Sequence, residues 1–376
     1  MAVFMDLSKA FDCVNHNILV KKLECYGIRG VALKWVQSYL TNRKQFVEIK
    51  QENRQGQVQT YKSRVQVMKH GVPQGSVNGP LFFNISINDV PERVLKGELT
   101  LFADDSSLTI SHKTFEGLEV DAFVETNNVV QQFENNCLKV NSSKTNVMVF
   151  NPGNKHSREV DIFIGEHGLE QVRVAKVLGL YIDENLTWDD HVEYIAKKIS
   201  SGIFVIKHLK QYCNMTLLKS AYHALIESYI NYGIVVWGNS SKKNTLKIFK
   251  LQKRAIRYIL NLKPMQSCKE HFKSLEILTV PSKYIYATIM YVREHHHDSL
   301  PKNSDTHQHN TRNRANLHMT ATKLKITDKA PVHAGKMLFN YLPNEIKSDT
   351  NLNMFKRKLR NYLVEKCLYS VDSFKK

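Results

Sequence analysis

Two aspartates, Asp104 and Asp105, stand side by side in LFADDSS, inside a segment otherwise written like a buried strand. Adjacent carboxylates repel, and setting them beside apolar strands is costly unless positive charge compensates. A divalent cation supplies that charge, and Mg²⁺ prefers such hard oxygen ligands. Magnesium keeps some waters and usually takes only one or two protein carboxylates, so a third aspartate from a neighbouring strand would complete a two-ion site. Asp6 meets that requirement because it ends the apolar run AVFM, whereas Asp12 lies past the point where the chain turns into helix. Taken alone, FADD also reads as an acidic hairpin tip in water, so order and spacing along the chain must decide.

The elements that would position these residues follow from periodicity. AVFMDL reads as a buried strand, followed by helical spacing through Leu19, Leu23 and Tyr26 and by a second short helix, VALKWVQSYL, ending near Asn42. QFVEIK and SRVQVMKH read as two β segments around a polar, Gln-rich turn. GVPQGSVNGP is too rich in Gly and Pro for regular structure and opens a helical run expected from Leu81 to about Val94. ELTLFADDSSLTI predicts a hairpin with Asp104 and Asp105 at its bend, then a long helix from about Phe115 to Leu138, then strands TNVMVF and VLGLYI. Beyond Ile182 the character turns helical. Thr187 with Asp190 resembles a helix cap, and Val192, Ile195, Ile199, Ile203 and Ile206 form one apolar stripe. Further helices are expected near residues 215–231 and 244–261 and in FKRKLRNYLVEK, with an exposed polar connection before the last of them.

Strand-Asp, a Gln-Gly turn opening a helix, an Asp-Asp hairpin, then a helix and strand with a lysine between them is the layout of a polymerase palm. The chain resembles reverse transcriptases, most closely those of non-LTR (LINE-type) retrotransposons of the jockey and CR1 kind. The resemblance rests on FMDLSKAFD, GVPQGSVNGPLFFNISIND, LFADD, LKVNSSKT and VLGLYID, all in family order, and continues more weakly through ENLTWDDHV, HNTRNRANLH and YLPNEIKS. It implies an α+β fold: a right-hand palm of antiparallel sheet with packed helices over residues 1–185, and a helical thumb-like region over 186–292. A polar linker over 293–330 and a carboxyl-terminal segment over 331–376 follow. Because the first block sits at the start of the chain, the fingers are expected to be largely missing.

The implied activity is RNA-directed DNA polymerisation on an RNA template with a DNA primer and deoxynucleoside triphosphates, using two Mg²⁺ ions that Mn²⁺ could replace. By resemblance Asp6 and Asp104 are the metal ligands and Asp105 the less direct carboxylate. One ion would lower the pKa of the primer 3′-hydroxyl and the other neutralise the leaving pyrophosphate. Phe11 matches the position under the incoming sugar, though by residue type it is also an ordinary core phenylalanine. Gln74 and Gly75 match the residues that meet nucleotide and template; a generic tight turn is the plainer alternative. Asn78 departs from the apolar residue usual there and leaves the packing of that helix start open. Lys144 aligns with a lysine that directs charge or a proton toward pyrophosphate, but a solvated surface lysine is the competing reading. Leu178 and Gly179 resemble the primer grip, or simply a buried β segment.

Charge bears on partners. Lys and Arg number 53 against 35 Asp and Glu, giving +18, which favours a polyanion. Lys250, Lys253, Arg254 and Arg257 share one helix face opposite Ile248, Leu251, Ala255 and Ile259, either to meet template and primer phosphates or as a solvated face over a core. The six scattered cysteines contain no CxxC pair and read as reduced thiols. Cys268, His271, His295, His296, His297, His307 and His309 lack a zinc-knuckle spacing and read as a His-rich loop. No apolar run is long enough for a bilayer and no signal sequence is evident, so an intracellular chain is expected, nuclear by family analogy. Two further readings stay open: an inactive relic that only binds nucleic acid, and an RNA-dependent RNA polymerase, against which FADD and Phe11 argue. Composition leaves oligomeric state open.

Overall fold

The computed structural model describes residues 1–53, 56–151, 158–295, 299–306, 314 and 316–375. Its contacts divide the chain into two compact units, Met1–Gly179 and Leu180–Lys376, each with its own core.

The first unit is mixed helix and sheet. β1 (Ala2–Met5) leads into the single turn α1 (Ala10–Cys13), then α2 (His16–Cys25) and α3 (Gly30–Leu40). β2 (Lys44–Gln45), β3 (Glu48–Glu52), β4 (Val58–Lys62) and β5 (Gln66–Val67) form a ribbon. Next come α4 (Asn78–Ile87), β6 (Gly97–Phe102), β7 (Asp105–Ile110), α5 (Phe115–Asn135), β8 (Asn146–Met148) and the short strands β9 (Phe163–Ile164), β10 (His167–Gly168), β11 (Glu170–Gln171) and β12 (Val174–Val177). The main sheet has five strands in the order β11-β8-β1-β7-β6. All its pairings are antiparallel except β11 with β8, so the antiparallel sheet expected from the sequence is mixed at one edge. β1 is central and apolar at Val3 and Met5, which are buried with Leu108, Phe83 and Phe133 in the core that α2, α4 and α5 share with the sheet.

A polar knot ties these helices together. The ammonium of Lys22 donates to the Ser86 carbonyl (2.6 Å), the Asp89 carboxylate (2.6 Å) and the Asn136 side-chain oxygen (2.7 Å), and Gln132 donates to the other Asp89 oxygen (2.7 Å). Burial alone would raise the Asp89 carboxyl, but these bonds and the Lys22 charge outweigh it and hold it below its ordinary range.

Three local expectations are corrected. The Gln-rich turn is shorter than the sequence reading made it, because VQTYK is the strand β4 and pairs with β3 from Glu48↔Lys62 to Glu52↔Val58. The helix after GVPQGS begins at Asn78 rather than Leu81, since the Ser76 hydroxyl accepts the Gly79 N–H at 3.0 Å; it ends at Ile87, with a separate 3₁₀ turn at Val90–Arg93. The long helix stops at Asn135 rather than Leu138, where Cys137 takes a left-handed φ of 60°.

The second unit is helical after β13 (Leu180–Asp183). It comprises α6 (Asp189–Leu209), α7 (Met215–Tyr222), α8 (Ser228–Asn231), α9 (Ile234–Trp237), α10 (Lys242–Leu260), α11 (Lys269–Ser274) and α12 (Val280–His295), then α13 (Asn303–Thr306), α14 (Lys325–Asp328), α15 (Pro331–Asn340), α16 (Asn344–Lys347) and α17 (Leu352–Lys366). The stripe of α6 is buried throughout against Tyr222, Trp237, Ile248 and Phe249, and the same core continues through Tyr284, Phe339 and Phe355. α7 and α8 join through a π-helical turn, His223–Glu227, against which α6 packs closely at Gly202; a Cβ there would sit 2.7 Å from the Leu225 carbonyl oxygen. Gln252, fully buried, donates to the Tyr222 hydroxyl (2.8 Å) and the Leu278 carbonyl (2.9 Å) and accepts from the Val280 N–H (2.9 Å). Among the described residues no helix is long and apolar enough to cross a membrane. His296, His297, His307 and His309 lie outside the described residues.

The start of α6 differs from the Thr187 and Asp190 cap. Trp188 precedes the helix at φ 66°, and the buried Asp183 carboxylate accepts the N–H groups of Asn185 (3.2 Å), Thr187 (2.9 Å) and Trp188 (2.7 Å). Just inside that turn His191 is buried between Trp188 and Trp237, and desolvation lowers its pKa to about 4. Between pH 6.5 and about 4 the unfolded chain therefore takes up a proton that the folded chain refuses, so this residue lowers stability as pH falls through that window. Urea midpoints measured across it should decline more steeply in the wild type than in His191→Gln; parallel declines would show that the imidazole is not buried in neutral form.

Candidate active site

Sheet register brings the aspartates together. β1 pairs with β7 through Phe4↔Ser107 and Met5↔Ser106, so Asp6, the next residue, lies alongside Asp105 on the face opposite the buried Ser106. β6 and β7 close at Phe102↔Asp105, leaving Ala103 and Asp104 as a two-residue turn. Ala103 holds φ 53° without being glycine, a left-handed conformation that is uncommon for residues with a Cβ. Asp104 thus sits at the turn and Asp105 opens β7. The Asp105 carboxyl is pushed up by partial desolvation, then by the negative charges of Asp104 and of Asp6.

Lys144 reaches the same place from the other side of β1. Residues 138–145 run back along the end of this strand: Leu7 bridges to Val140, the Ser8 N–H donates to the Lys139 carbonyl (2.8 Å), and the Asn141 N–H donates to the Asp6 carbonyl (2.8 Å). The 3₁₀ turn Ser142–Lys144 then places the Lys144 ammonium 3.6 Å from the Asp6 carboxylate. Both partners face solvent, so the pair contributes little to stability and is free to exchange partners.

The GVPQGS turn is fastened to α1. The Gly71 N–H donates to the Val14 carbonyl (2.8 Å) and the Val72 N–H to the Phe11 carbonyl (2.8 Å), while a ring nitrogen of His16 lies 2.7 Å from the Gly71 oxygen. Gly71 has φ +86°, and a Cβ there would lie 2.8 Å from the Asp12 carbonyl oxygen, so only glycine allows this approach. The Gln74 amide donates to the Asp12 carboxylate at 3.2 Å, and both Gln74 and Gly75 are exposed. The Phe11 ring, half-buried, stacks on Phe83 of α4 at 4.6 Å. Asn78 is half-buried at the first position of α4.

Asp12 and His16 escaped the sequence reading as supports of this turn. Asp12 stood in the same block as Asp6, but no local spacing announces a contact across 62 residues.

The remaining predicted residues fall elsewhere. Leu178 and Gly179 follow β12 with φ of 46° and 82°, a tight left-handed turn. The four cations of α10 belong to the second unit and divide in two. Lys250 is exposed, as is Arg254, whose guanidinium lies 5.6 Å from the Tyr258 ring centre. Lys253 lies over Phe249 (4.7 Å) and Tyr369 (5.5 Å), and Arg257 donates to the Gln266 carbonyl (3.1 Å).

Among the described residues no group of three His, Cys, Asp or Glu closes around a metal position, which holds for Cys268, His271 and His295 as for the aspartates. An open group of carboxylates, with only the solvent-exposed Lys144 beside Asp6, nevertheless suits Mg²⁺, whose remaining ligands are waters and substrate phosphates. The donor set therefore fits the ion, with Asp6, Asp104 and Asp105 as the oxygen donors.

Comparison with known proteins bears on this geometry. The model of the family "Reverse transcriptase (RNA-dependent DNA polymerase)" matches residues 1–194. A probable RNA-directed DNA polymerase from transposon BS of Drosophila melanogaster is 27% identical over 318 residues, 78% of this chain and 33% of that protein. The RNA-directed DNA polymerase of the mobile element jockey from the same species is 25% identical over 275 residues, 69% of this chain and 28% of that one. The chain thus spans about a third of the length of these relatives. Among solved structures, telomerase from Candida albicans with a fragment of telomeric RNA aligns over 75% of this chain and 46% of its own, at 11% identity and a TM-score of 0.30. Apo telomerase from Candida tropicalis aligns over 73% and 49%, at 13% identity and 0.31, and at such scores neither likeness carries an argument. With more than half of its residues under the family model, this chain belongs to the reverse transcriptase family.

Proposed function

We propose that this chain is the catalytic core of an RNA-directed DNA polymerase of a non-LTR retrotransposon, extending a DNA primer on an RNA template with deoxynucleoside triphosphates. The observation that carries the reading is the convergence of Asp6 and the Asp104–Asp105 pair at the ends of adjoining strands of one sheet. In this reading the first unit acts as the palm and the helical second unit as the thumb. Lys250 and Arg254 supply phosphate contacts there, while Lys253 and Arg257 also brace their own helix. Kinship with mobile-element polymerases points to action in the nucleus.

Asp6 and Asp104 would hold two Mg²⁺ ions, with Asp105 beside them tuning the charge of the pair. When bound, these ions would supply the positive charge that makes the primer 3′-hydroxyl acidic and offsets charge on the leaving pyrophosphate. Lys144, already beside Asp6, would turn toward the leaving group and give it a proton or charge. The Phe11 ring, fixed by its stack on Phe83, would stand where a ribose 2′-hydroxyl collides. Gln74, tethered to Asp12, would meet the nucleotide, with Gly75 permitting close backbone approach. Leu178 and Gly179 would grip the primer terminus with their left-handed turn.

Primer extension tests the assignment. Asp104→Asn should lower the extension rate by roughly a hundredfold or more while leaving oligonucleotide affinity intact; undiminished extension with Mg²⁺ would refute it. Phe11→Val should raise ribonucleotide incorporation relative to deoxynucleotide, and unchanged sugar discrimination would remove its role. Gly71→Ala should force the turn away from Asp12 and cost about 1–2 kcal/mol in backbone conformation alone, read as a lower melting temperature with a raised KM for nucleotide. A wild-type melting temperature and KM would show that the close approach is dispensable.

A further inference from the structure

Gln74 stands at the corner of a tight turn. The Pro73 carbonyl accepts the Ser76 N–H (3.2 Å) and the Ser76 hydroxyl (2.7 Å), and Gly75 takes φ 78°, so Gln74 holds the first corner position of the turn. Being exposed, its side chain is not held in one direction by packing. What holds it is a single polar contact, the amide donating to the Asp12 carboxylate at 3.2 Å. Among the described residues no cation pairs with Asp12, and Lys144 goes to Asp6 instead (3.6 Å), so the carboxylate of Asp12 is left to the amide.

Asp12, by contrast, is fixed through its backbone. Its main chain lies so close to Gly71 that a Cβ there would come within 2.8 Å of the Asp12 carbonyl oxygen. On either side of it the Phe11 and Val14 carbonyls accept the Val72 and Gly71 N–H groups, both at 2.8 Å, and His16 meets the Gly71 oxygen at 2.7 Å. The carboxylate is therefore a rigid post and the amide a movable arm. A carboxylate only accepts hydrogen bonds, whereas a glutamine amide has a donor at one end and an acceptor at the other. Asp12 must take the NH₂ end, which leaves the Gln74 Oε1 as the free end of the arm. Without the post, either end could face outward.

We infer that Asp12 is a positioning residue of the polymerase site: it fixes the polarity of the Gln74 amide, so that an acceptor oxygen rather than an N–H faces the incoming nucleotide. The inference rests on the polymerase reading for naming the nucleotide as what Gln74 meets; the tether and its polarity stand apart from that reading. Steady-state primer extension, together with side-chain NMR of the full chain carrying isotopically labelled glutamine, tests it. Asp12→Ala and Gln74→Ala should each raise the KM for deoxynucleotide roughly tenfold with kcat within about twofold, and the double variant should be no worse than either alone. Gln74→Glu should be at least as poor, because it sets a second carboxylate against the first. In the reciprocal pair Asp12→Asn/Gln74→Glu the amide is the post and a carboxylate oxygen faces the nucleotide, so KM should return to within about threefold of wild type. Melting temperatures should stay at the wild-type value, since both side chains are exposed. The side-chain NH₂ signals of Gln74, identified by their loss in Gln74→Ala, should shift in Asp12→Ala. A KM within about twofold of wild type in Asp12→Ala, or no recovery in the reciprocal pair, would overturn the inference in an active polymerase. So would a KM increase accompanied by a lower melting temperature, which would make Asp12 a support of the fold. Wild-type protein that extends no primer would sink the polymerase reading instead; unmoved NH₂ signals would then remove the role of Asp12 as well, and shifted ones would keep it as the post that orients Gln74.

Discussion

The site depends on one constraint: a hydrogen-bonded ladder forces like charges together. Carboxylates free to move would separate, but Asp6 follows β1 and Asp105 opens β7, and the register of those strands is set by which face is buried. Slipping β7 by one residue would put Leu108 and Ile110 in solvent, so the core holds the aspartates side by side. Partial desolvation, and after it the charges of Asp104 and Asp6, raise the Asp105 carboxyl at this spot. Stability of the sheet is thereby converted into an electrostatic deficit that a divalent cation can fill.

Around that constraint the first unit builds in short steps. α1 is a single turn, and the carbonyls of Phe11 and of Val14 just beyond it accept the Val72 and Gly71 N–H groups, so Phe11 and the start of the GVPQGS turn are tied by backbone bonds as well as by packing. The Lys22 and Asp89 knot fixes α2 and α5 behind α4. Lys144 arrives because residues 138–145 follow the end of β1 on its other side. The ribbon adds nothing to that core: each residue of β3 and β4 is exposed.

Much of this was legible in the sequence, for physical reasons that differ by element. β1, the Asp-Asp hairpin and the stripe of α6 announce themselves through periodicity, because burial acts residue by residue. Convergence of Asp6 with Asp104 and Asp105 came from motif order, since no local pattern records which strands become neighbours. What escaped was set by contacts distant in sequence: Asp12 holding Gln74, His16 on Gly71, and the start of α4 fixed by the Ser76 hydroxyl. The α6 start departs from the expected cap because Trp188, at φ 66°, precedes the helix while Asp183, at the end of a strand, takes the N–H groups of Asn185, Thr187 and Trp188. β4 was hidden by its polar residues, which are tolerated because neither ribbon face is buried.

Metal stoichiometry measures the central claim most directly. Bound Mn²⁺ can be counted by electron paramagnetic resonance in the complex with primer, template and a non-reactive nucleotide analogue, beside Asp6→Asn and Asp104→Asn variants. The account predicts two ions in the wild type and loss of at least one in each variant. Equal ion counts in all three proteins would contradict it.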